Sequence, residues 1–456
     1  MKYIPRIILP FIVLVVAGLA LAIFAVRPLL AEGAADIDID PSVTFQTISG
    51  WEGTADLPDR PARPDWAPYR DKMYDLVVNE AGLNRVRLEI RSGAESRSGA
   101  PTQFLAGTTK YSTWKKERYA AVNDNDDPFL ADLSGFNFDE LDWHVRETVL
   151  PMRQRLAARG ERLIVNLCYV SFRNGHFFQM EPEEYAELVL VTYQHLEKTF
   201  GFVPDLWEVV LEPDLQKYGW DGATMGKAMA AAGKRLRAHG YQPAFVAPSV
   251  TNMANTLAYA NEIKNIPGAR DDWKELSYHR YRGRSAKTLR QIAEFADSHG
   301  LRTSMLEWWF GKGTHTILYQ DLSIGNVSAW QGRVVSGIYD PPIREGGPPQ
   351  LREDTRFNRL YFTAIREGAV RINATSSAPR DFGATAFVNV NGRMAVIIEA
   401  GGAGKVTLRG LKEGLYKVQM AMSDQNLAVS EPLLVDGKAP PILEIPDAGV
   451  VSIVEQ

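Results

Sequence analysis

Two glutamates close apolar runs in places where a carboxylate can act on a bond. Glu212 ends Leu206-Trp207-Glu208-Val209-Val210-Leu211-Glu212, and Glu307 ends Thr303-Ser304-Met305-Leu306-Glu307. Two carboxyl groups facing each other across a cleft are the equipment for breaking a glycosidic bond, about 5–5.5 Å apart in the retaining version. One attacks the anomeric carbon; the other protonates the leaving oxygen and then activates water. Glu307 suits the nucleophile, because Arg87 and Tyr281, each near a strand end, can hold it ionised. Glu212 suits the acid/base, its pKa raised by the neighbouring negative charge. His279 belongs to the same strand end as Tyr281, and Trp308 and Trp330 offer indole faces to a sugar ring. Each also has a structural reading: a surface carboxylate before Pro213, a satisfied core ion pair, a packed strand histidine, core aromatics.

Those roles require a scaffold that brings distant strand ends together. From Gly50 to Ile372 apolar strand patterns alternate with helical ones, eight of each. Pro182 opens one helix and Gly160, Gly240 and Gly300 follow others, as helix start and stop signals do. The expected fold is α/β, a (β/α)8 TIM barrel over residues 50–372. On this count Glu212 ends strand four and Glu307 strand seven, at the C-terminal ends where barrel sites are built. A long polar stretch from Arg91 to Asn137 interrupts the pattern after strand two, and such loops usually shape a site. After Ile372 short strands and Gly, Asn and Asp turns take over, among them Asn391-Gly392, a hairpin signal. Residues 373–456 are expected to form a β-sandwich, joined by a strand at 41–49.

Composition narrows the classes. The chain has 456 residues, 45% hydrophobic and 23% charged with a net charge of −4, which gives no electrostatic case for nucleic acid. Cys168, the single cysteine, excludes an intrachain disulfide and lies in an apolar strand as an expected inert thiol. The run Asn123-Asp124-Asn125-Asp126-Asp127 reads as a solvated loop without the glycine and closing glutamate of an EF-hand. At the N-terminus, Lys2 and Arg6 precede an uncharged stretch from Ile7 to Val26, followed by Arg27. That length at 1.5 Å per residue can cross a bilayer core of about 30 Å. Residues 1–27 are therefore expected to be a membrane anchor, or alternatively a cleaved signal peptide, leaving the rest extracytoplasmic.

The chain resembles clan A glycoside hydrolases, most closely glycoside hydrolase family 30. Phe45-Gln46-Thr47-Ile48-Ser49-Gly50-Trp51-Glu52-Gly53 is similar to that family's opening strand and glycine turn. His279-Arg280-Tyr281 is similar to its strand-six motif. Arg366-Glu367-Gly368-Ala369-Val370-Arg371-Ile372 and Ala384-Thr385-Ala386-Phe387-Val388-Asn389 resemble its barrel-to-sandwich junction. The resemblance implies retaining double displacement, with Glu212 as acid/base and Glu307 as nucleophile, and a sandwich built from both ends of the chain. Two positions depart from the pattern. Leu211 stands where the clan has an Asn that bonds the sugar 2-hydroxyl, and Glu52 stands where a small residue is usual. Either the substrate differs at C2, or another residue such as Asn166 takes that contact, or catalysis is impaired. The expected function is a retaining β-glycosidase needing no metal or organic cofactor, with a carbohydrate substrate and a membrane as partners. The alternative is an inactive carbohydrate-binding barrel. Oligomeric state is not legible.

Overall fold

The computed structural model describes residues 33–55, 69–215, 219–340, 349–423 and 428–456. The expected membrane or signal segment at 1–27 lies outside them. Among the described residues no helix is long and apolar enough to cross a membrane.

Strand β1 (Gly33–Thr47) comes first, and eight parallel strands then close a barrel: β2 (Gly50–Thr54), β3 (Arg85–Arg91), β4 (Ile164–Val170), β5 (Leu206–Glu208), β6 (Phe245–Asn252), β7 (Trp273–Arg282), β8 (Arg302–Glu307) and β9 (Val327–Val334). Pairing of β9 with β2, Trp51 opposite Trp330, completes the ring. The strands are buried on both faces, as parallel strands covered by helices must be. Helix Pro182–Phe200 shows how the sequence bounds these elements: Pro opens its first turn, and Gly201 ends it at φ 71°, a left-handed value glycine takes without a steric cost.

The barrel's interior is charged where aliphatic layers are the norm. Along β3 the side chains alternate: Val86, Leu88 and Ile90 join the main apolar core, while Arg85, Arg87 and Glu89 engage interior partners. Arg85 donates to Glu52 at 2.5 Å and grips both oxygens of Glu275 at 2.9 Å. Ser49 and Ser304 add hydroxyl donors to Glu275 at 3.0 and 2.6 Å. So many donors outweigh burial, and they lower the Glu275 carboxyl to about 2. Gly50 makes room for this column, since a Cβ there would meet the Arg85 Cβ at 2.9 Å. Glu52, the unusual residue of the opening turn, thus belongs to an interior ion network.

Beyond the barrel lie a two-stranded sheet of β10 (Tyr339–Asp340) and β11 (Gln350–Leu351), and then β12 (Val370–Ser376), β13 (Phe382–Val388), β14 (Met394–Ala400), β15 (Gly404–Arg409), β16 (Gly414–Met422), β17 (Ala428–Val429), β18 (Leu433–Val435), β19 (Ile442–Ile445) and β20 (Gly449–Glu455). The expected two-sheet sandwich is instead one continuous ten-stranded sheet, β17-β16-β20-β14-β13-β12-β1-β15-β19 with β18 beside β16. The join is β1, antiparallel to β12 on one side and parallel to β15 on the other. The sheet curls so that Ile37, Leu408, Val418 and Ile453 share one core.

The stretch after β3 carries two short helices, Ala100–Leu105 and Tyr111–Glu117, stacked through Phe104 and Trp114 at 4.5 Å between ring centroids. Arg91 and Arg118 both reach Glu140, at 3.2 and 2.6 Å, which fastens this insertion to the helix layer.

Candidate active site

Glu307 is the last residue of β8, and Glu212 lies four residues past the end of β5. The chain between keeps strand-like contacts: the Leu211 N–H bonds Tyr169 O at 3.0 Å and the Glu212 N–H bonds Ser249 O at 3.1 Å. Glu212 has φ 51°. A non-glycine residue held in that region costs about 1–2 kcal/mol, and such strain clusters at working sites. The turn aims its carboxyl back across the barrel mouth.

Five of the expected residues meet there. Arg87 Nη2 donates to Glu307 at 2.6 Å, and the Tyr281 hydroxyl donates to its other oxygen at 2.8 Å. His279 Nδ1 contacts Glu212 Oε1 at 3.1 Å. One ligand-type atom from each of Glu212, His279 and Glu307 lies within 4.8 Å of the others. The two carboxyls are almost buried, at 9% and 5% exposure, so their charges act through little water. Burial pushes Glu307 up, Arg87 and His279 pull it down, and Glu212 pushes it up again; the net shift is upward. Burial alone would lower His279, but its bond to Glu212 and the charge of Glu307 outweigh that and raise it.

The other expected residues are placed differently. Asn166 is fully buried below the pair, its amide donating to Glu52 at 3.3 Å and Glu208 at 3.0 Å. It braces the interior network and has no face for a sugar hydroxyl. Trp330 is also buried. Its indole N–H bonds Asp321 at 3.0 Å, and Gly313 and Gly332 close over its ring. Strand parity explains this: Gln331, next along β9, bonds Glu52 inside the barrel, so Trp330 faces the helices. Trp308 is half-buried with Arg280 and Arg284 over its ring at 5.5 and 4.8 Å. Arg280 pairs with Asp321, which bonds Trp330 as well.

Three residues near the mouth escaped the sequence reading. Trp309 carries Arg87 over its ring at 5.5 Å and donates to Gln331 at 3.2 Å. Glu89 pairs with Arg87 at 3.2 Å and with Arg91 at 2.5 Å. Gln331 joins Trp309 to Glu52. Counting two residues on from Arg87, or one on from Trp330, would have found Glu89 and Gln331. Leu211 packs on Cys168 and Val170, with Tyr119 of the insertion and Phe172 against it. The position that held an amide in the resembled pattern is therefore lined by carbon.

No family model matches the chain, and no curated protein matches it by sequence. Solved structures do. The catalytic domain of a glycoside hydrolase family 30 xylanase from Talaromyces cellulolyticus superposes with a TM-score of 0.69 at 14% identity, over 92% of this chain and 100% of that one. A family 30 endoxylanase from Clostridium papyrosolvens gives 0.65 at 16% identity, over 92% and 100%. An endo-β-1,6-glucanase gives 0.61 at 15% identity, over 92% and 93%. The fold is the one these solved structures share, over 92% of the chain.

Proposed function

We propose that the chain is a retaining β-glycosidase in which Glu307 is the nucleophile and Glu212 the acid/base. One observation carries this reading: an oxygen of each carboxyl lies within 4.8 Å of one on the other, at the ends of the fourth and seventh barrel strands. So close an approach favours the retaining arrangement, whose carboxyls stand about 5–5.5 Å apart. Arg87 and Tyr281 both donate to Glu307 and hold it as the attacking carboxylate, which leaves the acid/base role to Glu212. Glu307 then attacks the anomeric carbon while Glu212 passes its proton to the departing oxygen. A glycosyl ester on Glu307 results. Glu212, now a carboxylate, takes a proton from water, whose oxygen displaces Glu307. His279 orients Glu212 throughout.

The neighbours include xylanases and an endo-β-1,6-glucanase, so xylan and β-1,6-glucan head the substrates to try. Leu211 and its apolar surroundings favour a sugar that asks for no amide contact at C2. With the segment before Arg27 as an anchor, the barrel would act on an extracytoplasmic glycan. The test is hydrolysis of aryl β-glycosides and these glycans by the wild type and by Glu307→Gln, with the anomer of the first product read by NMR. We expect a fall of about 10⁴-fold or more in kcat/KM and a retained anomer. Equal rates, or an inverted product, would end the proposal. Leu211 also favours a second reading, a carbohydrate-binding barrel; binding without cleavage of every glycan tried would select it.

A further inference from the structure

A second set of carboxylates converges away from the catalytic pair. Glu95 and Asp124 from the insertion and Glu187 from helix Pro182–Phe200 each place an oxygen within 4.8 Å of the other two. All three are buried, at 1%, 8% and 3% exposure. Glu184 stands one turn before Glu187, beside Asp124, and accepts from Asn123 Nδ2 at 3.4 Å.

The independent sign is what these groups lack. One oxygen of Glu187 and one of Glu95 are buried with no hydrogen-bond partner, as are an oxygen of Glu184 and the side-chain carbonyl of Asn123. A buried carboxylate oxygen without a donor is costly, and several in one buried cluster call for a positive charge among them. Arg235, whose charge reaches Glu187, is held instead by Glu183 at 2.5 Å. Burial first, and then the neighbouring acids, push Glu95 to about 8 and Glu187 to about 7. Asp124 is already oriented, accepting from the Asn125 N–H and side chain at 2.9 Å each and from the Asp132 N–H. An all-oxygen, carboxylate-rich donor set suits a hard cation.

We infer that Glu95, Asp124 and Glu187, with Glu184 and Asn123 alongside, bind a hard divalent cation of the calcium class. The ion ties the insertion to helix Pro182–Phe200. From Glu95 the tie continues through Gln179, at 2.6 Å, to the Tyr169 hydroxyl at 2.7 Å and so to the end of β4. It thereby braces the segment that lays Tyr119 against Leu211. This site stands or falls independently of the glycosidase reading.

The test uses the full chain stripped with a chelator and titrated with calcium chloride by calorimetry, with magnesium chloride in parallel and terbium(III) luminescence as a second readout. We expect one calcium per chain and a rise in Tm of about 3 °C or more at saturation. Glu187→Gln and Glu95→Gln should each weaken calcium binding at least about 100-fold. Both substitutions keep side-chain volume and remove a like charge, so each should fold without the ion. Two results would overturn the site. One is no heat, luminescence or Tm shift at about 10 mM, above the weakest extracellular calcium sites; protons would then hold the cluster. The other is unchanged affinity in both variants.

Discussion

Two of the molecule's clusters of buried carboxylates are treated in opposite ways. Inside the barrel four of them share two arginines: Glu52 and Glu275 share Arg85, and Glu89 and Glu307 share Arg87, while Glu208 is held by the Asn166 amide. Beside the barrel, Glu95, Asp124 and Glu187 face one another with no ion pair among the described residues. The difference is one of position. β3 brings its arginines to the axis every second residue, where strands from all sides can reach them. The outer cluster lies between an insertion and a helix, and among the described residues the nearby Arg235 is taken by Glu183. The first arrangement fixes charge permanently; the second leaves it to be supplied.

The comparison breaks most readily at Arg85. Arg85→Met strands two buried carboxylates and should cost about 3–5 kcal/mol, measured by urea unfolding. A loss under about 1 kcal/mol would mean that the column is not held by charge. Next is Arg87→Met, which leaves Glu307 only the Tyr281 hydroxyl. We expect kcat/KM to fall about 100-fold or more, with a raised acidic limb in the pH–rate profile, because the Glu307 anion loses its cation. An unchanged acidic limb would remove Arg87 from that role.

The two regions should also respond oppositely to pH. Glu275, lowered to about 2, contributes stability that is present above about 4.5 and lost as pH falls towards 2. Glu95 and Glu187 are raised to about 8 and about 7. In chelator they contribute stability that is full below about 4.5 and lost as pH climbs through 7 to 8. Tm against pH should therefore fall at both ends, and Glu187→Gln should flatten only the upper one. The smallest effect is that substitution itself. At pH 8 in chelator it should stabilise the fold, by on the order of 1 kcal/mol, whereas its counterpart in the column destabilises. A loss of stability there would show that Glu187 already has a partner.

How much of this could be read beforehand follows the same division. The alternation of elements placed Glu212 and Glu307 at the right strand ends, since burial on a barrel leaves a strong periodic trace. His279 and Tyr281 came with them, both on one face of β7. Parity was not carried through, and so Trp330 stood as a sugar platform although it faces the helices. Asn166 failed for another reason. Its strand and face were right, but depth along the axis is set by register with β3 and β5, which one sequence does not reveal. Least legible was the outer cluster. Within the acidic run only Asp124 turns inward, while Asp126 and Asp127 are exposed, and its two partners lie in other elements.

One strand carries a consequence for the newborn chain. β1 is made first, yet both strands that flank it are made after the entire barrel; the bond from Asp36 to Ser377 spans 341 residues. Loop closure over that length adds only about 0.6 kcal/mol per doubling, so the finished fold is scarcely penalised. The delay during synthesis is the greater hazard, because for that interval β1 has both edges open to pairing with another chain. Its sequence answers this: Asp36, Asp38 and Asp40 alternate with the apolar residues Ile37 and Ile39, and Pro41 follows. The aspartates and the proline act as gatekeepers against intermolecular zippering. Once the sheet closes, Arg409 takes up Asp36 at 3.1 Å and Asp38 at 3.7 Å, and charges that kept the waiting strand solitary help to hold it in place.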